Sequence, residues 1–415
     1  MTEPRISKET ARRFVLGKHG LWPGRRWAGK DGTRAAMRAV EHLQLDPLVI
    51  LARSHDLMLH SRVEGYRPEL FEELTYQDRE FFDWGGWLAV RPMDELPYWR
   101  VLMRRGWDHG NLDDTQGLHP EAVAEMRALL ATGAQVSSRE LEASGTETRK
   151  TYRGTKARAL ALYYLWRTGE AMTHHRNGFE RVYASTESIA PAHLGREVDD
   201  REAELFVARK AVSADGIARI PPMSYLFERK LSRADHLELE EELVERGELL
   251  RLEVEGWRGA QLMAAGDLPL LERLQRGETP TEWEPTGASP LNEVVFFSPL
   301  DPLVARGRAK QLFGFEHVWE IYKKPEDVRF GRFTMPMLWD EELVGRMDAR
   351  LDRVTATLVV NGIWLEDATT MKKPEFVEAL IAGLKRMMAF LGAERIDVAA
   401  VSDAKLRAKL ARVRL

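Results

Sequence analysis

Two stretches of the sequence share one plan: residues 155–185 are TKARALALYYLWRTGEAMTHHRNGFERVYAS, and residues 237–264 are LELEEELVERGELLRLEVEGWRGAQLMA. Each has an apolar-periodic helical run, a glycine stop at Gly169 or Gly247, and two extended runs joined by a turn. In the first copy, Asn177-Gly178 is typical of a two-residue type I′ hairpin. A helix, a glycine stop and a two-stranded ribbon at the same spacing twice predict tandem winged helix-turn-helix units.

Turn clusters divide the 415 residues into four predicted units. Residues 1–117 form a mostly helical unit that is compatible with a degenerate winged helix, and residues 118–196 and 197–289 hold the two clear copies. Residues 290–415 contain the strand-like runs VVFFSPL, HVWEIYK, RFTMPML, LVGRMDAR and TATLVVNGIWL, and a closing helix over Lys373–Leu391. The sequence therefore predicts an α+β protein with tandem winged helices, a small curled sheet or β-barrel and a C-terminal helix.

Composition restricts the class of function. The 61 basic and 65 acidic residues leave a formal charge of −4, which argues mildly against a dedicated nucleic-acid binder unless the basic residues are clustered. The absence of cysteine excludes disulfides, cysteine zinc sites, iron–sulfur clusters and thiol nucleophiles. A polar N-terminus and the lack of an apolar run of about 18 residues predict a cytoplasmic protein that does not enter a membrane.

Motifs for common cofactors and metals are also missing. No phosphate-binding loop, dinucleotide fingerprint, HExxH or GxSxG motif occurs, so we expect no cofactor. The pair His174-His175 lies in a predicted strand, where neighbouring side chains point to opposite faces. We therefore expect no metal ion to be shared by the two histidines.

The segment Gln44-Leu45-Asp46-Pro47 follows a predicted helix and brings an amide and a carboxylate together. If it is extended, Gln44 and Asp46 share one face and Leu45 anchors the other. The residues alone favour a structural role, because aspartate before proline is typical of a helix N-cap with proline at the first helical position. The pentapeptide LDPLV recurs at residues 300–304 without the glutamine, which supports capping.

With its surroundings, this segment resembles the signature of a known family. Gln44–Leu48, Ala52–His55 and Leu59–Arg62 are similar to the winged-helix DNA glycosylases that unhook interstrand crosslinks, the YcaQ/AlkZ group, in which a Gln-hydrophobic-Asp or Gln-hydrophobic-Gln triplet marks the active site. Further matching motifs, spread over nearly the whole chain, lie at Tyr76–Arg79, Trp166–Pro191, Ser298–Pro302, Phe330–Phe333 and Pro336–Trp339. One departure is Asp83–Trp87, DWGGW, where many relatives have tyrosine-tryptophan-x-histidine; Gly86 stands at the place of the histidine, which leaves the substrate range open.

The resemblance implies a monofunctional DNA glycosylase, without lyase activity, that hydrolyses the N-glycosidic bond of alkylated purines. N7-alkylguanine in double-stranded DNA, alone or in an interstrand crosslink, would be the substrate. Gln44 and Asp46 would be catalytic, with His55 and Arg62 as possible neighbours. We expect Asp46→Asn to slow base release, and Asp301→Asn in the second LDPLV to leave both rate and thermal stability almost unchanged. The protein would be a monomer associated with the nucleoid.

The resemblance also assigns clustered basic residues to DNA. Phosphate contacts are expected from Arg149, Lys150, Arg153, Lys156, Arg158, Arg176 and Arg181. A second set lies at the tip of the predicted hairpin that joins HVWEIYK to RFTMPML, namely Lys323, Lys324, Arg329 and Arg332; an ordinary exposed loop is an equally good interpretation there. Because a crosslinked base is too bulky for a closed pocket, we expect an open surface rather than base flipping.

Two other classes of function stay open on the sequence. A winged-helix regulator would commonly dimerise on a palindromic site, and no heptad repeat is evident in the chain. A winged-helix module that binds proteins would tolerate the charge of −4. An affinity for duplex DNA that falls steeply between about 50 and 200 mM salt would favour the glycosylase or the regulator, both of which bind DNA, over the protein-binding module.

Overall fold

The computed structural model describes residues 3–105, 115–140, 157–221, 224–286 and 292–413. Across these ranges, helices alternate with two- and three-stranded sheets up to residue 286, and one five-stranded sheet follows. The predicted mixture of α and β structure is therefore confirmed. None of the helices in the described ranges is long and apolar enough to cross a bilayer.

The N-terminal part is mainly helical, as predicted. Its helices span Lys8–Lys18, Gly29–Val40, Ser54–Arg62, Pro68–Glu72 and Leu96–Arg105. Its strands are β1 (Arg5–Ile6), β2 (Trp27–Ala28), β3 (Leu43–Gln44), β4 (Val63–Glu64), β5 (Phe81–Trp84) and β6 (Ala89–Pro92), of which three form a sheet in the order β3-β6-β5. Met37 and Val40 of the second helix pack with Leu43 and Leu45 in one core. This core holds the strand that carries Gln44.

The second unit contains the first predicted hairpin. Its helices span Thr115–Leu118, Pro120–Ala131, Ala157–Arg167 and Thr186–Ile189, and its strands β7 (Val136–Ser137), β8 (Ala171–Asn177) and β9 (Glu180–Ser185) lie in the order β7-β9-β8. Gly169 closes a helix with a φ of 78°, as predicted. The predicted turn type is wrong: Asn177 pairs with Glu180, so the loop is Gly178-Phe179. Only Gly178 in this loop has a positive φ, which is the pattern of a type II′ turn.

The adjacent histidines of β8 do not point to opposite faces, in contrast to the prediction. The ladder between β8 and β9 shifts register between Thr173 and His175. The Nδ1 atoms of His174 and His175 consequently lie 2.9 Å apart, because such a shift breaks the regular alternation of side chains. Among the described residues, no group of three or more histidine, aspartate or glutamate side chains is arranged to hold a metal ion.

The third unit repeats the helix and hairpin plan and incorporates the N-terminal segment of the chain. Its helices span Asp200–Asp215, Ser224–Phe227, Arg233–Glu245 and Leu268–Gln275, and its hairpin is formed by β10 (Leu249–Val254) and β11 (Gln261–Ala264). Gly247, with a φ of 69°, follows the end of its helix as predicted. Strand β1 adds to β10 in parallel, and Phe14 packs in the same core as Leu252. The segment that carries β1 and the first helix therefore packs on the third unit, although the predicted unit 1–117 contains it.

The C-terminal part is built on a curled sheet and one long helix. Strands β12 (Val295–Phe296), β13 (Thr334–Trp339), β14 (Glu342–Asp352), β15 (Thr357–Leu365) and β16 (Arg395–Asp397) lie in chain order, and only the β15–β16 pair is parallel. Register shifts in the two central ladders bend the sheet. The helix Pro374–Leu391 buries its predicted apolar stripe, including Phe376 and Leu384, in the core beneath the sheet. Shorter helices span Arg308–Phe313 and Ala404–Leu410.

The prediction that HVWEIYK forms a strand is wrong. Residues 317–323 pair with no strand of the described chain, so the basic tip belongs to a long loop before β13 and not to a hairpin. The buried Glu320 carboxylate accepts hydrogen bonds from the backbone N–H groups of Arg329 and Phe330, at 3.0 and 2.9 Å. Burial alone would raise the pKa of Glu320, but Lys323 and these N–H groups outweigh it and hold the pKa at about 2. Hydrogen bonds to the buried Glu320 carboxylate, and not the pairing of β-strands, therefore hold the backbone of this loop.

Candidate active site

Strand β3 and the residues after it present Gln44 and Asp46 on one face, as predicted. Gln44 pairs with Ala89 of β6. Leu43 and Leu45 are buried in the core, whereas Gln44 and Asp46 are partly exposed. The alternation of an extended segment therefore sets an amide and a carboxylate side by side.

The predicted helix start after Asp46 is wrong. No helix begins at Pro47, and the next one starts at Ser54. The Asp46 carboxylate instead accepts a hydrogen bond from the Leu48 N–H at 2.9 Å, in the turn that aspartate forms with the residue two positions on. Asp46 is therefore not a helix N-cap. Within the described part of the chain no other hydrogen bond reaches this carboxylate, so one oxygen can face a ligand.

The second LDPLV has the same turn in a different environment. Asp301 accepts a hydrogen bond from the Leu303 N–H at 3.0 Å. Its carboxylate also accepts two hydrogen bonds from the Arg62 guanidinium, at 2.6 and 2.9 Å, and both side chains are fully buried. Arg62 is therefore a structural partner of Asp301 and not the active-site neighbour expected from the sequence. The expectation that Asp301→Asn leaves thermal stability unchanged is wrong for the same reason.

Gln44 lines a cavity of about 610 Å³. The walls come from the region around β3, from the helix Asp200–Asp215 and from residues 300–311. Much of the lining is apolar or aromatic, with Val40, Trp87, Val207, Ala211, Leu226 and Pro302 as examples. Sites for small organic molecules typically have this character and a volume of roughly 300–1,000 Å³.

Beside Gln44, the Trp87 indole packs against two flat groups. The His42 ring is stacked on it with centroids 4.2 Å apart, and the Arg306 guanidinium lies 4.1 Å from the indole centroid. Arg306 also reaches the Oε1 atom of Gln44 at 3.4 Å. Burial and the charge of Arg91 lower the pKa of His42 well below its usual range, so the ring is neutral. Trp87 and Arg306 are site residues that the sequence did not reveal, because only tertiary contacts bring them to Gln44.

The charged groups of the cavity include a paired lysine and an unpaired acid. The buried ammonium of Lys210 donates to Glu41 and, at 2.7 Å, to Glu95. Burial raises the pKa of Asp215, an effect that the charges of Arg308 and Arg306 partly offset. Among the described residues, no hydrogen bond or ion pair engages the Asp215 carboxyl group, which lines the cavity.

His55, a predicted neighbour of the catalytic pair, lies in a different pocket. With Leu45, Asp56 and Phe71 it lines a space of about 80 Å³ that does not include Gln44. The rings of His55 and Phe71 are 4.6 Å apart, and burial lowers the pKa of His55 to about 3. His55 is therefore a neutral, packed side chain on the side of the segment that Leu45 faces.

Arg176 and Arg181, expected to bind phosphates, lie around the buried Asp83. Arg176 donates to Asp83 Oδ2 from Nε and Nη2, at 2.9 and 2.8 Å, and Tyr76 donates to the same oxygen at 2.8 Å. Burial alone would raise the pKa of Asp83, but the charges of the two arginines and these hydrogen bonds lower it. Arg181 lies 4.0 Å over the Trp166 ring. Because its side chain is only 7% exposed and bonded within the protein, the position of Arg176 contradicts a phosphate contact.

The remaining basic residues that were predicted to contact DNA differ in whether an acidic side chain already pairs with them. Arg149, Lys150, Arg153 and Lys156 lie outside the described residues. Arg158 is paired with Glu125 at 2.8 Å, and Lys323 donates to Glu320 at 2.8 Å. Lys324, Arg329 and Arg332 are exposed and form no ion pair with the acids that the structure describes. The long loop therefore keeps cations that are available to a phosphate, next to a Tyr322 side chain that is 87% exposed.

The chain is similar in sequence to one protein family and in fold to a solved structure. The sequence model of the AlkZ-like DNA glycosylase family matches residues 37–390, from the helix before β3 to the end of the long C-terminal helix. Among solved structures, the Streptomyces sahachiroi DNA glycosylase AlkZ has a TM-score of 0.61 to this chain at 15% sequence identity, over 96% of this chain and 99% of that one. At such low identity the structural likeness shows the shared fold alone. Because the family match spans most of the sequence, the chain belongs to the AlkZ-like family of DNA glycosylases.

Proposed function

We propose that the protein hydrolyses the N-glycosidic bond of alkylated purines in double-stranded DNA, with N7-alkylguanine, alone or in an interstrand crosslink, as the preferred lesion. The observation that carries this proposal is the pair Gln44 and Asp46, which share the partly exposed face of one segment, with Gln44 lining the cavity. Membership of a DNA glycosylase family supports the bond that is broken. The choice of lesion follows from the chemistry of a carboxylate and an amide, which can stabilise positive charge but supply no strong general acid.

The pair suits a base that leaves without help. An N7-alkylated guanine carries a positive charge, so it departs without a strong general acid. The deoxyribose acquires oxocarbenium character as the bond breaks. The Asp46 carboxylate stabilises this positive charge and accepts a proton from the attacking water, and the Gln44 amide orients the water or the nucleotide.

Simple hydrolysis, without strand cleavage, is supported by the lysine of the cavity. A lyase needs a free amine that attacks the sugar. In the described part of the chain, the lysine that lines the cavity is Lys210, and its ammonium donates to both Glu41 and Glu95. An amine held in this way is poorly placed as a nucleophile, so the expected product is an abasic site.

Duplex binding by tandem winged helices is supported by the order of elements. In the second unit, β7 lies between the helices Pro120–Ala131 and Ala157–Arg167 and pairs with β9 of the hairpin, which is the element order expected of a winged helix. The exposed cations of the long loop add phosphate contacts. We expect a monomer that works on chromosomal DNA in the nucleoid.

Single-turnover release of 7-methylguanine from a duplex tests the proposal. Asp46→Asn keeps the size of the side chain and the turn to Leu48 but removes the charge. The rate should therefore fall roughly 10²–10³-fold, equivalent to about 3–4 kcal/mol of activation free energy. Gln44→Ala should lose less, because it removes an orienting amide and no formal charge.

The chain offers a matched control in Asp397→Asn. Asp397 accepts a hydrogen bond from the Ala399 N–H at 2.9 Å in the same kind of turn, at the exposed end of β16. Its variant should release the base at the wild-type rate. Equal rates of base release for Asp46→Asn and Asp397→Asn would contradict the catalytic role of Asp46. If the wild-type protein released no base, the proposed substrate would be contradicted. Strand scission before alkali treatment would contradict simple hydrolysis.

A further inference from the structure

Hydrolysis at Gln44 and Asp46 leaves most of the adjoining cavity without a role. This inference rests on the function proposed above: we propose that the cavity receives an N7-alkylguanine that is not crosslinked, after the base has rotated out of the duplex, and that Asp215 recognises its Watson–Crick edge. The inference contrasts with the open surface expected from the sequence. It depends on the size of the cavity, the unpaired acid on its wall and the cations at its opening.

The volume and lining of the cavity suit a purine with a substituent. About 610 Å³ lies in the middle of the range for sites that enclose small organic molecules. Val40, Val207 and Leu226 supply apolar surface for the faces of the base, and Gln44, which also lines the cavity, marks where the sugar must lie. A base attached to a sugar at Gln44 would therefore extend into the cavity.

Asp215 is held in a fixed position on the helix wall. Arg308 donates to the backbone carbonyls of Asp215 and Ile217, at 2.7 and 2.8 Å, at the end of the helix Asp200–Asp215. The carboxyl group forms no hydrogen bond with the residues that the structure describes. It is also within electrostatic reach of Arg306, which itself touches Gln44. The acid and the catalytic strand thus face the same enclosed space.

The chemistry of this acid matches guanine. The Watson–Crick edge of guanine carries two neighbouring donors, the N1–H and the N2 amine, and a carboxylate has two acceptor oxygens. Alkylation at N7 leaves this edge intact and adds positive charge, which a carboxylate favours. Adenine offers one donor and one acceptor on the same edge and cannot bond to both oxygens. Burial raises the pKa of Asp215 in the empty cavity, and a cationic donor entering it would favour the ionised form.

The opening of the cavity is basic. Arg219, Arg258 and Arg306 line it, are exposed, and form no ion pair with the acids of the described chain. The phosphates on either side of an extruded nucleotide stay with the DNA backbone and would lie at this opening, where guanidinium groups bind them well. The cations that meet DNA at the site are therefore these three arginines and not Arg176, which is bonded to Asp83.

Extrusion can be measured without cleavage. The probe is a duplex with N7-methylguanine on a 2′-fluorinated sugar, which resists hydrolysis, and with 2-aminopurine as the 3′ neighbour. Binding should raise the 2-aminopurine fluorescence severalfold, because extrusion removes its stacking partner. Ala211→Phe fills the cavity from the helix wall and should bind the duplex with a much smaller rise. Tight binding of the wild-type protein without any rise would overturn extrusion and leave the proposed hydrolysis intact.

Recognition by Asp215 is tested with a base that lacks one donor. N7-methylhypoxanthine has no N2 amine but is an equally cationic leaving group. Wild-type protein should release N7-methylguanine roughly 10- to 100-fold faster, in line with the discrimination from a two-point hydrogen bond. Asp215→Asn should reduce this ratio to near one, and Asp397→Asn should keep it. An unchanged ratio in Asp215→Asn, or no preference in the wild type, would refute the role of Asp215. If the wild type released neither base, hydrolysis would be refuted, and the fluorescence would still report on extrusion.

Discussion

Replacing Asp301 by asparagine should destabilise the protein strongly, whereas the same change at Asp46 should not. Both residues occupy the same place in an LDPLV segment, and both accept a backbone N–H from the residue two positions on. Asparagine forms this turn equally well. The difference lies in the partner, because Asp301 neutralises the fully buried Arg62 and Asp46 is partly exposed.

The structure sets the size of the effect. Removing one member of a buried ion pair costs about 3–5 kcal/mol, since the other charge stays buried. Arg62 keeps its hydrogen bonds to the Met58 carbonyl at 3.1 Å and the Ser61 hydroxyl at 2.8 Å, which favours the lower half of that range. About 3–4 kcal/mol corresponds to a fall of about 6–16 °C in the melting temperature of a domain of 150–250 residues. Asp46→Asn should stay within about 0.5 kcal/mol of the wild type.

Thermal and urea unfolding of the wild type and the two variants provide the measurement. A double variant, Arg62→Met with Asp301→Leu, removes both charges and should recover much of the loss, since apolar replacement of a whole buried pair is often tolerated. Indistinguishable midpoints for Asp46→Asn and Asp301→Asn would refute the argument. So would a double variant that is less stable than Asp301→Asn alone.

Two further predictions concern buried groups away from the cavity. Burial raises the pKa of Asp56 from its ordinary value of 3.8 to about 6, so between these pH values the folded state binds more protons and its free energy of unfolding falls as the pH rises. Asp56→Asn should remove this pH dependence of the free energy of unfolding, which is on the order of 2–3 kcal/mol. If the free energies of unfolding of the variant and the wild type differed by a constant amount between pH 3.5 and 7, the prediction would be contradicted. A Cβ atom on Gly383 would lie 2.2 Å from the Val294 carbonyl oxygen. Gly383→Ala should therefore lower the free energy of unfolding by about 1–3 kcal/mol, although the same change in a solvent-exposed helix is stabilising. A higher unfolding midpoint for Gly383→Ala would show that the helix shifts without cost.

Local signals were sufficient for most helices and hairpins. The helix Pro120–Ala131 and the glycine stops at Gly169 and Gly247 occur as predicted, because capping depends on a few consecutive residues. Errors arose where two local options were close in energy. The hairpin turn moved by one residue, to Gly178-Phe179, because Gly178 can take either central position of a two-residue turn.

Distant partners account for the larger errors. HVWEIYK has strand-like composition, but the buried Glu320 binds the backbone N–H groups that follow it, and no strand forms. The basic residues Arg176 and Arg181 are indistinguishable from solvated ones in the sequence. Only the fold shows that Asp83, far from them in the chain, binds the guanidinium of Arg176.

The sequence by itself determined that Gln44 and Asp46 share one face, because the alternation of an extended segment depends only on consecutive residues. It also determined the family resemblance, which the family match supports. The tertiary structure alone decided that Asp301 is a structural acid, that His55 lies in a separate pocket, and that Trp87, Arg306 and Asp215 share a cavity with Gln44. The physical reason is that burial and charge pairing join residues far apart in the chain, and no local pattern encodes those partners.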